Sequence, residues 1–382
     1  MTSLETPPTG MGTDSPATGD AASPFTENEP GGHGRRSYST WVPAVLVPLA
    51  AVVFALIAGA VMIVVEGAAP LDVYSTALSG VFTKSRGLSD TATAATPLII
   101  IGLGYALAYR ARVFTIGAEG QYLVGAIASV GVVTAPALSG LPGPILVVIG
   151  LATAVVAGAV WGGITGWLWT RFGASIVISS LMLVYVAQAL LQWSIRVPIR
   201  DPDSFVPASR QLGDAQLDSL PIVNTHLGFV VAVAAGPVLA MLLARHRVGF
   251  RVSVLGFNPS ALDANEVASK QVVMTVVLAA GGLAGAAGFF EMSGVNGRLG
   301  ASASVGFGFT AIIVALLGRL HPIGVVVAGL GVAGLDIGFE VAARSHDLPS
   351  SLVGVIQALV VVFVVAGDAL YARFGNPGEA AS

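Results

Sequence analysis

The chain has no cysteine. A disulfide framework, a thiol nucleophile and a zinc-thiolate site are therefore excluded. Charge is the second scarcity: only 10% of residues are Asp, Glu, Lys or Arg, against about 25% in an ordinary soluble domain. Lysine occurs only at Lys84 and Lys270, and neither closes a G-x-x-x-x-G-K-[ST] run. The phosphate-cradling loop that binds ATP is thus missing. There is no G-x-S-x-G and no H-E-x-x-H, and the 5 histidines are scattered, so hydrolase chemistry has no constellation to stand on. Nothing in the sequence asks for a cofactor or a metal. A formal net charge of −3 argues against a nucleic-acid partner.

What is present is apolar length. Hydrophobic residues make up 54% of the chain. Trp41–Val65, Ile145–Thr170, Ser175–Gln192 and Val272–Phe290 carry no acidic or basic residue, and Leu352–Leu370 carries only Asp368. About 20 apolar residues cross a hydrocarbon core. The reading is an all-α polytopic membrane protein, since a β-barrel would show short alternating strands instead. About ten transmembrane helices are expected, at 42–65, 90–109, 114–134, 144–169, 174–195, 225–244, 271–291, 301–318, 322–341 and 351–371. Gly and polar residues interrupt the third and the eighth.

Orientation follows from Lys and Arg beside the spans. With the N-terminus inside, Arg35, Arg36, Arg110, Arg112, Arg171, Arg245, Arg247, Arg251, Lys270, Arg319 and Arg373 are cytoplasmic, and Lys84, Arg86, Arg196, Arg200, Arg210, Arg298 and Arg344 are external. The cytoplasmic excess supports this orientation, with both termini inside. Residues 1–40 are rich in Thr, Pro, Gly, Ser and Glu and too poor in large apolar residues to fold; they read as a disordered cytoplasmic tail ahead of a transmembrane domain at 41–372. Residues 373–382 read as a second cytoplasmic tail. Residues 196–224 form a long external loop with four aspartates, and 245–270 an internal loop; each reads as a partner-docking segment or a plain connector.

Ten spans divide into five plus five, and a repeat of an odd number of spans must be inverted in the membrane. Each half carries a Gly-rich break after its second span: Gly117-Ala118-Glu119-Gly120-Gln121, and Gly306-Phe307-Gly308-Phe309. Broken helices in matching positions point to a transport path. Glu119 is a carboxylate inside an apolar span, where an unpaired charge is costly. Two readings stay open: a pathway or gating site formed with Gln121, Gly117 and Gly120, or a structural carboxylate that caps a half-helix or pairs with Arg110 or Arg112. Phe307 and Phe309 are aromatic candidates for stacking a base. In the internal loop, Asn258 or Ser260 can cap a short polar helix with Pro259 in its first turn. That helix, about 257–268, would present Asn258, Pro259, Ala261, Asp263 and Glu266 to a partner. A different class of function, an ion-coupled secondary transporter using Glu119 as proton carrier, is the alternative.

At these residues the chain resembles a known family. Phe114–Gln121 is similar to the N-I-G-x-E-G-Q hallmark of ABC importer permeases of the branched-chain amino acid, ribose and nucleoside type. It is nearest the nucleoside subgroup, which works with basic-membrane-lipoprotein-type binding proteins. Gly249–Lys270 resembles that family's coupling-helix pattern, matching at Gly249, Gly256, Asn258, Pro259 and Ala261. Gly306–Pro322 resembles its A-L-L-G-R/N-x-x-P stretch. Thr115 stands where the family usually has Asn, and Leu262 and Asn265-Glu266-Val267 also depart from the pattern. The resemblance implies a permease subunit in a bacterial cytoplasmic membrane. A partner ATP-binding subunit would drive it, a second permease subunit would complete the path, and an extracellular lipoprotein would deliver a nucleoside or related sugar.

Overall fold

A computed structural model describes residues 41–349 apart from Ser85, 221–223, 259–267 and Val305, and describes 351–367 in part. The tails at 1–40 and 373–382 lie outside the described residues. The described residues are helical with no strands, and only isolated bridges occur, as between Ala208 and Gly300.

Glycine and proline decide where the apolar runs become helices. Helix α1 (Trp41–Val65) ends at Gly67, whose φ of 85° is the left-handed stop that glycine tolerates. Pro70 opens α2 (Pro70–Phe82) at its first turn, and α2 leaves α1 at 115°. It falls between the spans expected at 42–65 and 90–109. Next come α3 (Gly87–Arg110), α4 (Ala118–Val133), α5 (Gly143–Phe172) and α6 (Ile176–Ser194). Then follow α7 (Leu227–Arg245), α8 (Arg247–Phe257), α9 (Ser269–Glu291), α10 (Phe307–Leu317) and α11 (Pro322–Ser345). A π-helical turn, Met292–Asn296, extends α9.

Among the described residues, six helices are long and apolar enough to cross a membrane: α3, α5, α6, α7, α9 with its π turn, and α11. The bent α1–α2 pair makes a seventh if counted as one span. The expected spans at 114–134 and 301–318 are instead helices of 16 and 11 residues that begin only at Ala118 and Phe307. The tenth expected span falls in the partly described 351–371.

The apolar windows of α3 and α9 are 89% and 72% buried, while those of α6 and α7 are each 22% buried. The first two are therefore the central helices. Helices α6 and α7, and the outer face of α5, turn Val156, Val160, Ile178, Met182 and Met241 outward, an apolar surface that water would not tolerate at this extent and lipid does. Central packing is backbone on backbone: a Cβ built on Gly285 would lie 2.1 Å from the Ala154 carbonyl oxygen, and one on Gly158 2.4 Å from the Gly281 carbonyl oxygen. Such approaches between membrane helices require glycine.

The loop after α6 does not hang free. Ser209 N–H donates to the Leu299 carbonyl at 2.8 Å, and Leu299 N–H returns a bond to the Ser209 hydroxyl at 2.9 Å. Leu212 N–H donates to Gly297 and Leu217 N–H to Ser293, each at 2.9 Å. These bonds fasten the described part of 196–224 onto the segment that follows α9.

Candidate functional site

Non-helical backbone inside a membrane must find its hydrogen bonds within the protein. The extended segment between α3 and α4 does so through side chains. Tyr109 donates its hydroxyl to the Thr115 carbonyl at 3.0 Å, and Ile116 N–H donates to the Ser180 hydroxyl at 3.0 Å. Gly117 N–H reaches the Thr115 hydroxyl at 3.3 Å, and Ala118 N–H the Tyr105 hydroxyl at 3.4 Å. Thr115 thus accepts locally from the residue two positions on, a bond that short polar side chains make readily. Gly117 and Gly120 are buried against α6: added Cβ atoms would fall 2.8 Å from Ser180 and 3.1 Å from Val184 Cα.

This segment delivers Glu119, fully buried, to the N-terminus of α10. Its Oε1 accepts from Gly306 N–H and from the Ser304 hydroxyl, both at 3.1 Å, and its Oε2 accepts from Gly308 N–H at 2.7 Å. The first backbone N–H groups of a helix have no intrahelical acceptor, and the helix dipole places positive charge there. Glu119 answers both needs for α10 from elsewhere in the chain, and it also lies in the first turn of its own helix α4. One carboxylate therefore holds two helix N-termini together. Gly306 has φ 85°, and a Cβ on Gly308 would lie 2.2 Å from Glu119 N, so both positions require glycine. Of the two sequence readings of Glu119, the observed contacts are those of the helix cap. Arg110 bonds Ser253 instead, at 3.2 Å.

The other expected residues are dispersed. Gln121, buried, lies against Gly162 on α5 and does not share the junction that Glu119 makes with α10. Phe307 meets Tyr122 edge to face with ring centroids 5.9 Å apart. Phe309 is 39% exposed, two residues along α10 from Phe307. Asn258 is exposed and closes α8 by donating its N–H to the Val254 carbonyl at 2.8 Å; Pro259, Ala261, Asp263 and Glu266 lie outside the described residues. Three participants were not foreseen. Gln188 of α6 donates to the Ser304 hydroxyl at 3.4 Å. Glu291 is buried at the end of α9 and accepts from Asn296 at 3.4 Å. The Tyr122 hydroxyl is buried without a hydrogen-bond partner among the described residues. The sequence signal for Glu291 was its place directly after the charge-free run Val272–Phe290.

Residues 87–365 match the protein family described as "Branched-chain amino acid transport system / permease component". This chain belongs to that family. The permease is 34% identical to the glucose ABC transporter permease protein TsgB13 of Haloferax volcanii over 87% of this chain and 90% of that one. It is 33% identical to the guanosine ABC transporter permease protein NupP of Bacillus subtilis over 85% of this chain and 94% of the relative. The nucleoside ABC transporter permease protein NupB of Lactococcus lactis is 29% identical over 84% and 90%. No solved structure matches the permease. It is a membrane-embedded subunit of an ABC importer, and ATP hydrolysis belongs to a partner subunit.

Proposed function

We propose that this permease carries nucleosides, or a sugar of similar polarity, into the cell. The observation that carries the reading is the meeting of two half-helix N-termini on Glu119 beside the Tyr122–Phe307 ring pair. Discontinuous helices of this kind form solute paths in transporters, and an aromatic edge beside polar groups suits a solute with a flat ring and hydroxyls. The relatives named for guanosine, nucleosides and glucose support the same solute classes.

The ten-span inverted repeat belongs to this proposal. In each half a central helix leads through a break to a short helix: α3 to α4, then α9 to α10. The halves exchange partners, with α3 packed on α10 and α11, and α9 packed on α4 and α5. That exchange is what a two-fold axis in the membrane plane produces. Both termini are then cytoplasmic, in a bacterial cytoplasmic membrane. A second permease subunit completes the path, and an external lipoprotein delivers the solute.

Labelled guanosine, glucose and leucine, offered to cells with and without the complete importer, test the substrate class. Guanosine or glucose is expected to accumulate in an ATP-dependent way and leucine not; accumulation of leucine alone overturns the reading. The segment 257–268 is proposed to receive the ATP-binding subunit. Asp263→Arg combined with Glu266→Arg is expected to abolish uptake at an unchanged amount of permease in the membrane. Uptake at the original rate in that double variant removes the segment from the coupling role.

A further inference from the structure

The Tyr122 hydroxyl is fully buried and has no hydrogen-bond partner among the described residues. A buried donor left so costs about 1–3 kcal/mol, and such a group in a native fold calls for an explanation. Two carboxylates flank Tyr122 by position: Glu119 stands three residues before it on α4, and Glu291 follows by one turn Gly288, whose added Cβ would lie 2.3 Å from the Tyr122 carbonyl oxygen. Neither bonds it. Glu119 is committed to α10 through Ser304, Gly306 and Gly308. Among the described residues Glu291 holds a single long bond, 3.4 Å from Asn296, and a carboxylate has room for several more donors. Helix α9 turns π-helical directly after Glu291, a local irregularity that recurs at functional sites.

Asn296 connects this interior to an opening. It lines a cavity of about 330 Å³ together with Pro207, Ala208, Arg298 and Ser302, at the lower end of the size range of small-solute pockets. The cavity lies between the external loop and the segment after α9, on the outer side by the orientation proposed above. Asn296 joins that cavity to Glu291 by its hydrogen bond, and Tyr122, on the helix α4 that packs against α9, meets Phe307 by ring contact at 5.9 Å.

We propose that Glu291 and Tyr122 form a solute subsite on the outer side of the Glu119 junction, which takes a hydroxyl group of an uncharged solute. A hydroxyl both donates and accepts. It can donate to the Glu291 carboxylate and accept from the Tyr122 phenol, which a metal ion or an anion cannot do together. An anionic solute would also meet two buried carboxylates. The subsite rests on the permease reading and narrows it to two specificity-determining side chains.

The test measures guanosine delivered per ATP hydrolysed by the complete importer in proteoliposomes. Tyr122→Phe removes only an oxygen that nothing in the fold bonds, so the variant assembles. It is expected to lower the ratio about five-fold, and Glu291→Gln about ten-fold, as loss of a neutral and of a charged hydrogen bond imply. A purely structural Tyr122, or one that bonds only water, leaves the ratio unchanged, and that result in Tyr122→Phe overturns the proposal even if Glu291→Gln fails to assemble. An excess of guanosine 5′-monophosphate is expected not to compete; competition equal to that of unlabelled guanosine overturns the uncharged-solute assignment. If the unaltered importer moves neither guanosine nor glucose, the function proposed above fails and this subsite with it. Normal uptake with unchanged variants removes the subsite alone.

Discussion

Glu119→Ala is expected to leave little folded permease in the membrane. The substitution strips the acceptor from Gly306 N–H, Gly308 N–H and the Ser304 hydroxyl at once. Each buried donor without a partner costs about 1–3 kcal/mol. The α10 N-terminus also loses the negative charge opposing its dipole, roughly another 0.3–1 kcal/mol. The sum, on the order of 5 kcal/mol, is comparable with the whole stability of many domains. Glu119→Gln keeps one acceptor oxygen but turns an amide NH2 toward a backbone donor, so it should fall between the two. Melting temperature and monodisperse yield of the purified permease are the measurements, with the order wild type, Gln, Ala. An alanine variant that melts with the wild type would show that the cap does not hold the fold. A glutamine variant of normal stability with abolished uptake would move Glu119 from the frame into the path.

The reason Glu119 resisted a decision from sequence is physical. Its cost in an apolar span was plain, because charge-free runs surround it. Its partners were not, because they are mostly backbone N–H groups more than 180 residues away, and backbone donors carry no sequence signature. The two Gly-rich breaks were legible separately as Gly117–Gln121 and Gly306–Phe309. That they touch required the fold: the 2.2 Å approach that a Gly308 Cβ would make to Glu119 N is a property of two helix ends brought together.

Long apolar runs identified α3, α5, α6, α7, α9 and α11, since a membrane span is set by length and composition and little else. The same rule misjudged the short pieces. Helix α4 was read as a full span because the extended residues before it are largely apolar, and their backbone is satisfied by Tyr105, Tyr109, Thr115 and Ser180 rather than by helix bonds; α10 was read so because residues 301–306 before it carry no charge, although Ala301–Ala303 forms a separate 3-10 turn. Helix α2 lies between the expected spans at 42–65 and 90–109 and, at 13 residues, is too short for a rule based on span length to reveal; its packing on α11, with Tyr74 edge-on to Phe339 at 5.9 Å, makes it a helix worth forming. Tyr122 escaped notice for a related reason: an aromatic residue in a span usually only packs, and its missing partner is visible only once its surroundings are known.

The second large effect is expected at Gly285. Helix α9 reaches its place by pressing bare backbone against two neighbours: the Cβ of an alanine there would sit 2.1 Å from the Ala154 carbonyl oxygen and 3.1 Å from Gly158 Cα, and Gly125 on α4 approaches Gly285 Cα equally closely, at 2.4 Å from its own added Cβ. No side-chain rotation relieves a clash with a carbonyl, so α9 must move off α5. Overpacking of this kind costs about 1–3 kcal/mol or more. The movement would carry Gly288 away from Tyr122, whose carbonyl oxygen lies 2.3 Å from a Gly288 Cβ, and with it the spacing between Glu291 and Tyr122. Gly102 offers a graded control, because its added methyl would meet the Val325 side chain at 2.9 Å, which can shift. Gly331 offers a null control, with nothing within 4 Å of its added Cβ. The melting temperature of purified variants should therefore fall most for Gly285→Ala, less for Gly102→Ala, and not at all for Gly331→Ala. Equal melting of all three would mean that the glycines of α9 reflect composition and not contact. The predicted order would mean that the small residues of this helix set how closely the two halves of the permease meet at its centre.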